Sequence, residues 1–178
     1  MRTLGPRSVS SFLKVVLDIT FILLVIGLLF FGGLALINAF GLITGAKLPD
    51  WIWPVGQHWP MFAGTPRAVA LLSWISLNHI GALVIVGRLR RIFRTLTSDT
   101  PFQAENARRL RIIGLVMAAL QVSEWVIWAV VGQGAPDRVE YLRPDVNPVA
   151  IFGIIVMFVL AEVFDEGARM RKDLDLTI

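Results

Sequence analysis

RLRRIFRTLTSDTPFQAENARRLR, residues 88–111, lies between two apolar segments and carries seven of the chain's 17 Lys and Arg residues. Loops rich in Lys and Arg beside membrane-spanning segments stay on the cytoplasmic side, so the reading of this hairpin orients every other segment. The composition supports that setting. Apolar residues make up 56% of the 178 positions and charged residues 17%, and the mean hydropathy is +0.69, beyond an ordinary soluble domain. The net charge of +4 is accounted for by position: thirteen of the 17 basic residues fall on segments assigned to one side and four on the other. That is the positive-inside pattern, and direct binding of nucleic acid is not expected. With no cysteine in the chain, disulfide exchange, thiolate nucleophiles and Cys-ligated metals are excluded.

Working outward from the hairpin, the apolar stretch 68–87 runs into RLRRIFRTL without a helix breaker. A continuing helix would place Arg88, Arg91 and Arg94 on one side and Leu89, Ile92, Phe93 and Leu96 on another. Such an amphipathic segment either packs on inner headgroups or docks a partner, the first being the commoner outcome. Thr100 at the N-cap, Pro101 at the first helical position and Gln103 two further on predict the start of the next helix.

Four spans follow from the apolar runs, at about 15–41, 68–88, 111–132 and 148–166. The N-terminal MRTLGPRSVSSFLK is short and basic, like the start of a signal peptide. The uncharged run after it, 19–40, is longer than a signal's apolar core and lacks a cleavage site, so it reads as a retained span. Outer loops are expected at 44–67 and 133–147, and the cytoplasmic hairpin at 88–111. The first outer loop has prolines at 49, 54, 60 and 66 and tryptophans at 51, 53 and 59, and reads as an aromatic belt at headgroup level rather than a ligand lid. The second is polar and near neutral. The expected fold is therefore all-α: a polytopic four-transmembrane-helix bundle, a single integral membrane domain over 1–178 with both termini cytoplasmic.

The polar residues within the spans form two layers when placed by helical rise. Asn78, His79 and Gln121 fall near the midplane, with Glu124 about one turn further out. Asp18 and Glu162 fall in the inner leaflet near the level of Arg88 and Arg111, as candidate ion pairs. An ionisable group in hydrocarbon is a functional candidate, so Glu124 with His79 could relay a proton or bind a cation between spans two and three. The simpler reading is that Glu124 is hydrogen-bonded and holds helices together. Gly114 and Ala118 form a small-x-x-x-small pair suited to close helix approach. Asp165 and Arg169, at i and i+4, read as a helix-surface pair.

Catalysis has little support. The two histidines, His58 and His79, supply neither an HExxH site nor a haem pair within the bundle, and phosphate-loop and nucleophile-elbow motifs are absent. No catalytic residue, metal or cofactor is expected.

Two blocks carry a family resemblance. They are TPFQAENARRLRIIG, 100–114, and AEVFDEGARMRKDLDLTI, 161–178, with Pro101, Phe102, Glu105, Asn106, Leu110, Arg111, Ile113 and Gly114 in the first. Ala161, Glu162, Phe164, Gly167, Asp175, Leu176 and Thr177 follow in the second. Together they resemble the domain of unknown function 2975 family of bacterial four-span membrane proteins. The resemblance implies a location in the bacterial inner membrane. It also implies a partner, because members are often encoded beside a small helix-turn-helix regulator of the Cro type. The residues expected to face a cytoplasmic partner are Arg91, Phe93, Arg94, Pro101, Phe102, Glu105, Asn106, Arg108 and Arg169. The leading expectation is a regulatory or scaffold protein in the lipid bilayer holding such a regulator. The alternative is a small transporter or channel, a homo-oligomer, using Glu124 and His79.

Overall fold

A computed structural model describes residues 9–46, 65–96, 103–131 and 147–175. They form four α-helices, α1 (Val9–Thr44), α2 (Pro66–Leu96), α3 (Ala104–Val131) and α4 (Pro148–Asp175). Each is long and apolar enough to cross a membrane, so the chain is an all-α, multi-pass membrane protein. The 36 residues of α1 reach about 54 Å, well beyond the roughly 30 Å of bilayer hydrocarbon. Its helix therefore exceeds the 15–41 span at both ends, because nothing in 9–14 or 42–44 breaks it.

The helix ends follow from local chemistry. α1 stops where Gly45 takes φ 69°, a left-handed position that ends helices and favours glycine. Thr44 Oγ1 donates to the Phe40 carbonyl at 2.7 Å. Thr65 caps α2, its hydroxyl accepting the Ala68 N–H at 3.2 Å, and Pro66 takes the first position, where a missing N–H costs nothing. Asn147 does the same for α4: Oδ1 accepts the N–H groups of Val149 and Ala150 at 3.0 and 3.3 Å, ahead of Pro148. The start of α3 differs from expectation. Gln103 precedes the helix instead of lying inside it, and its carbonyl accepts the Asn106 N–H at 2.9 Å. Thr100, Pro101 and the rest of 97–102 lie outside the described residues, as do 47–64 and 132–146 of the two outer loops.

The chain divides into two compact units. The first comprises Met1–Leu23, Gly81–Ala119 and Asn147–Ile178. Its core is Ile92, Leu110, Ile113 and Ala161, with Ile85, Leu89, Met117, Met157 and Phe164 packed against it. Leu89 and Ile92 of the α2 extension thus pack on α3 and α4. Glycines make this packing close: a methyl added at Gly114 would stand 3.1 Å from the Phe158 ring, and one at Gly153 would stand 3.2 Å from Met117.

The second unit comprises Leu24–Ile80 and Leu120–Val146. Leu34, Ala35 and Leu72 form its core, with Phe31 against them. Large apolar side chains remain exposed on all four helices, among them Leu29, Leu36, Leu77, Trp125 and Phe152. This is what surfaces facing lipid require and what a water-facing surface of this extent would not tolerate.

Candidate functional site

Two groups of polar residues were expected, and each unit holds one. In the first unit the hairpin is closed by a small network. Asn106, expected at the partner surface, is instead fully buried. Its Nδ2 donates to Thr95 Oγ1 at 2.8 Å, and its Oδ1 accepts from Arg109 at 2.7 Å. The single Thr95 hydroxyl proton has two acceptors in reach, the Ile92 carbonyl at 2.7 Å and Asn106 Oδ1 at 3.1 Å. The shorter contact takes it, and both amide atoms of the buried Asn106 are then matched. Burial of Asn106 follows from its place, one turn into α3 and directly opposite the last turn of α2.

The ion pairs are redistributed relative to expectation. Asp18 meets Arg90, at 2.6 Å, and not Arg88, which is two positions and so about 200° away around the helix. The Arg90 guanidinium also lies over the Phe21 ring, 4.7 Å from its centroid, adding a cation–π contact. Arg111 bonds both Glu162, at 3.3 Å, and Asp165, at 3.0 Å. Asp165 therefore joins α3 to α4 as well as facing Arg169 at 3.9 Å. These carboxylates and guanidiniums are partly exposed, so each pair contributes about 0–1 kcal/mol. Their effect is on register more than on stability.

Of the remaining expected surface residues, Arg91, Arg94, Glu105, Arg108 and Arg169 are exposed and Phe93 is half-buried. Among the described residues Arg88, Arg91 and Arg108 enter no ion pair. Pro101 and Phe102 lie outside the described residues.

The second unit holds Asn78, His79, Gln121 and Glu124, each hydrogen-bonded within its own helix. Asn78 Nδ2 donates to the Trp74 carbonyl of its own helix at 3.0 Å. His79 Nδ1 lies 2.8 Å from the Ile75 carbonyl, and the imidazole packs on α1, 5.4 Å from the Phe31 ring centroid. Gln121 Nε2 donates to Glu124 Oε2 at 2.9 Å along α3. Among the described residues no hydrogen bond or ion pair joins His79 to Glu124. No metal-ligating cluster of His, Asp and Glu occurs among them either. The fully buried Asn38 of α1, whose Nδ2 donates to the Leu34 carbonyl at 2.8 Å, belongs with this group. A polar residue inside an otherwise apolar run was the signal for it.

The described geometry places both signature blocks where helices are joined. Phe164 and Ala161 pack on the α3 residues Leu110 and Ile113, and Glu162 pairs with Arg111. The family described as "Protein of unknown function (DUF2975)" matches residues 47–178. The chain belongs to that family. The DUF2975 match reaches beyond the two blocks to take in the Trp-rich segment and α2, and it begins after α1. No curated protein and no solved structure matches the chain.

Proposed function

We propose that this protein is a scaffold of the bacterial inner membrane, termini cytoplasmic, that holds a cytoplasmic protein against the 88–111 hairpin and the end of α4. The observation that carries the reading is a division of labour in that hairpin. Leu89, Ile92 and Leu110 and three of its arginines are used internally, by the core, Asp18, Asn106, Glu162 and Asp165. Among the described residues Arg91 and Arg108 are exposed and pair with no acid. A hairpin fixed from within and basic without suits an acidic protein surface, since complementary charge sets orientation and encounter rate. The family resemblance adds a candidate of that kind, a small helix-turn-helix regulator. Catalysis and a cofactor have no part in this reading.

The transport alternative drew on a Glu124–His79 pair. With the imidazole turned to α1, it rests on Glu124 alone. The scaffold reading is tested by photo-crosslinking in cells from positions 91 and 108, with identification of the captured protein. One captured DNA-binding protein, lost with Arg91→Glu and Arg108→Glu and on truncation after Gly167, supports it. Capture of lipid or of the chain itself alone rejects it.

A further inference from the structure

α1 and α2 run antiparallel through the first unit, and two contacts set their register. Phe21 lies against Gly87, where a methyl built on the glycine would stand 4.0 Å from the ring. About one turn further along the seam, Asp18 meets Arg90 at 2.6 Å. A helix presents the same side again after three or four residues. Lys14, four before Asp18, and Arg94, four after Arg90, therefore occupy the next position on that seam. Both are exposed. A seam that first pairs an acid with a base goes on to set a cation opposite a cation.

Like charges facing one another across two helices repel unless an anion lies between them. Neither 1–17 nor 81–96 contains an acid. Asp18 is already bonded by Arg90, whose guanidinium also covers the Phe21 ring. On α4, Glu162, Asp165 and Glu166 face Arg111 and Arg169. Among the described residues Lys14 pairs with no acid.

Depth selects the anion. The uncharged run of α1 begins at Ile19, directly after Asp18, and that of α2 ends at Gly87. The Asp18–Arg90 pair thus marks the edge of the hydrocarbon, and Lys14 and Arg94 stand about 6 Å beyond it, at about 1.5 Å of rise per residue. The polar layer of a bilayer is about 5–7 Å deep on each side, since a core of roughly 30 Å lies within a total of about 40–45 Å. We propose that Lys14 and Arg94 clamp the phosphate of an anionic phospholipid, in the leaflet at this end of α1 and α2. The guanidinium offers paired N–H donors to two phosphate oxygens, and the ammonium adds a compact charge. A lipid phosphate there relieves the repulsion and ties α1 to α2 outside the hydrocarbon. Basic pockets between membrane helices take such headgroups. The clamp uses neither Arg91 nor Arg108, so it stands or falls separately from the scaffold reading.

Native mass spectrometry of the full chain, titrated in detergent with phosphatidylglycerol or with phosphatidylcholine, counts the lipid retained. The expected result is preferential retention of phosphatidylglycerol. Lys14→Gln and Arg94→Gln should each weaken that retention roughly fivefold, the factor equivalent to about 1 kcal/mol per basic residue at a membrane surface. Lys14→Arg should keep it. Arg88→Gln, which removes a charge at the same end from another side of α2, should leave it unchanged. In parallel, phosphatidylglycerol should raise the thermal midpoint of the native chain and not that of Lys14→Gln, while inorganic phosphate raises neither. Equal retention of the two lipids, or an equal loss with Arg88→Gln, overturns the proposal. A gain from inorganic phosphate as large as that from the lipid assigns the clamp to a free anion and overturns it as well.

Discussion

Asn106 donates its amide to the Thr95 hydroxyl at 2.8 Å, joining the last turn of α2 to the first turns of α3 through a fully buried side chain. Arg109 completes the arrangement on the other amide atom. A buried polar group matched on both sides fixes one geometry among several that apolar packing alone would allow. The hairpin is thus held by a directional contact as well as by the Ile92–Leu110 core.

Asn106→Ala removes a donor and an acceptor at once, taking one partner each from the half-buried Thr95 and Arg109. The expected cost is about 1–3 kcal/mol, read as a fall in the thermal midpoint in detergent. Asn106→Asp keeps an oxygen for Arg109, and the Thr95 proton can turn to it from Ile92, so its loss should be the smaller. Equal losses for the two would show that volume, not hydrogen bonding, is what the site needs.

Asp18 and Arg90 should show a coupling of up to about 1 kcal/mol in a double-mutant cycle of Asp18→Asn and Arg90→Gln. The same cycle with Arg88→Gln should give none, because that side chain points to another side of α2. Screening adds a second reading: raising the salt should shrink the Arg90 coupling, since both groups are partly exposed. Coupling to Arg88 instead would mean that the pair exchanges partners in the membrane.

The spans were readable because each is a long apolar run with few charges, and two helix starts because Thr65–Pro66 and Asn147–Pro148 are cap chemistry written locally. What side chains meet was less readable. Arg88, Arg90, Arg91 and Arg94 lie within two turns, so depth alone could not choose the partner of Asp18; the rotation of α2 chose it. Asn106 stands among Glu105, Arg108 and Arg109 and looks like surface, yet it faces Thr95 at the end of α2 and is fully buried. His79 and Glu124 sit at neighbouring depths, but a ring next to Gly27 can enter α1 as no ring could beside a larger residue. In each case the missing information was the angle around the helix axis, which a uniformly apolar span does not encode.

Glycines separate the tight contacts from the open ones. At Gly114 a new methyl would lie 3.1 Å and 3.3 Å from the Phe158 ring and 3.4 Å from Met157. Gly114→Val should therefore cost about 1–3 kcal/mol through overpacking. Gly33 has nothing within 4 Å of the same position, so Gly33→Ala should be neutral or gain up to about 1 kcal/mol of helix propensity. Both are measured by thermal unfolding of the purified chain. A loss at Gly33 would reveal that another molecule packs on that face of α1.

Glu124 decides between a structural and a transporting carboxylate. Gln121 needs an acceptor, and the side-chain amide of Glu124→Gln still provides one. Glu124→Leu does not, and contacts of this type between or along membrane helices are worth about 0.6 kcal/mol on average and about 1.7 at most. Stability should therefore be unchanged in the first variant and reduced within that range in the second. A carboxylate that carries protons or cations behaves differently: Glu124→Gln would abolish ion flux in proteoliposomes while leaving the fold intact. Under the scaffold reading the same vesicles show no flux to lose, and the Gln variant captures the partner as the native chain does.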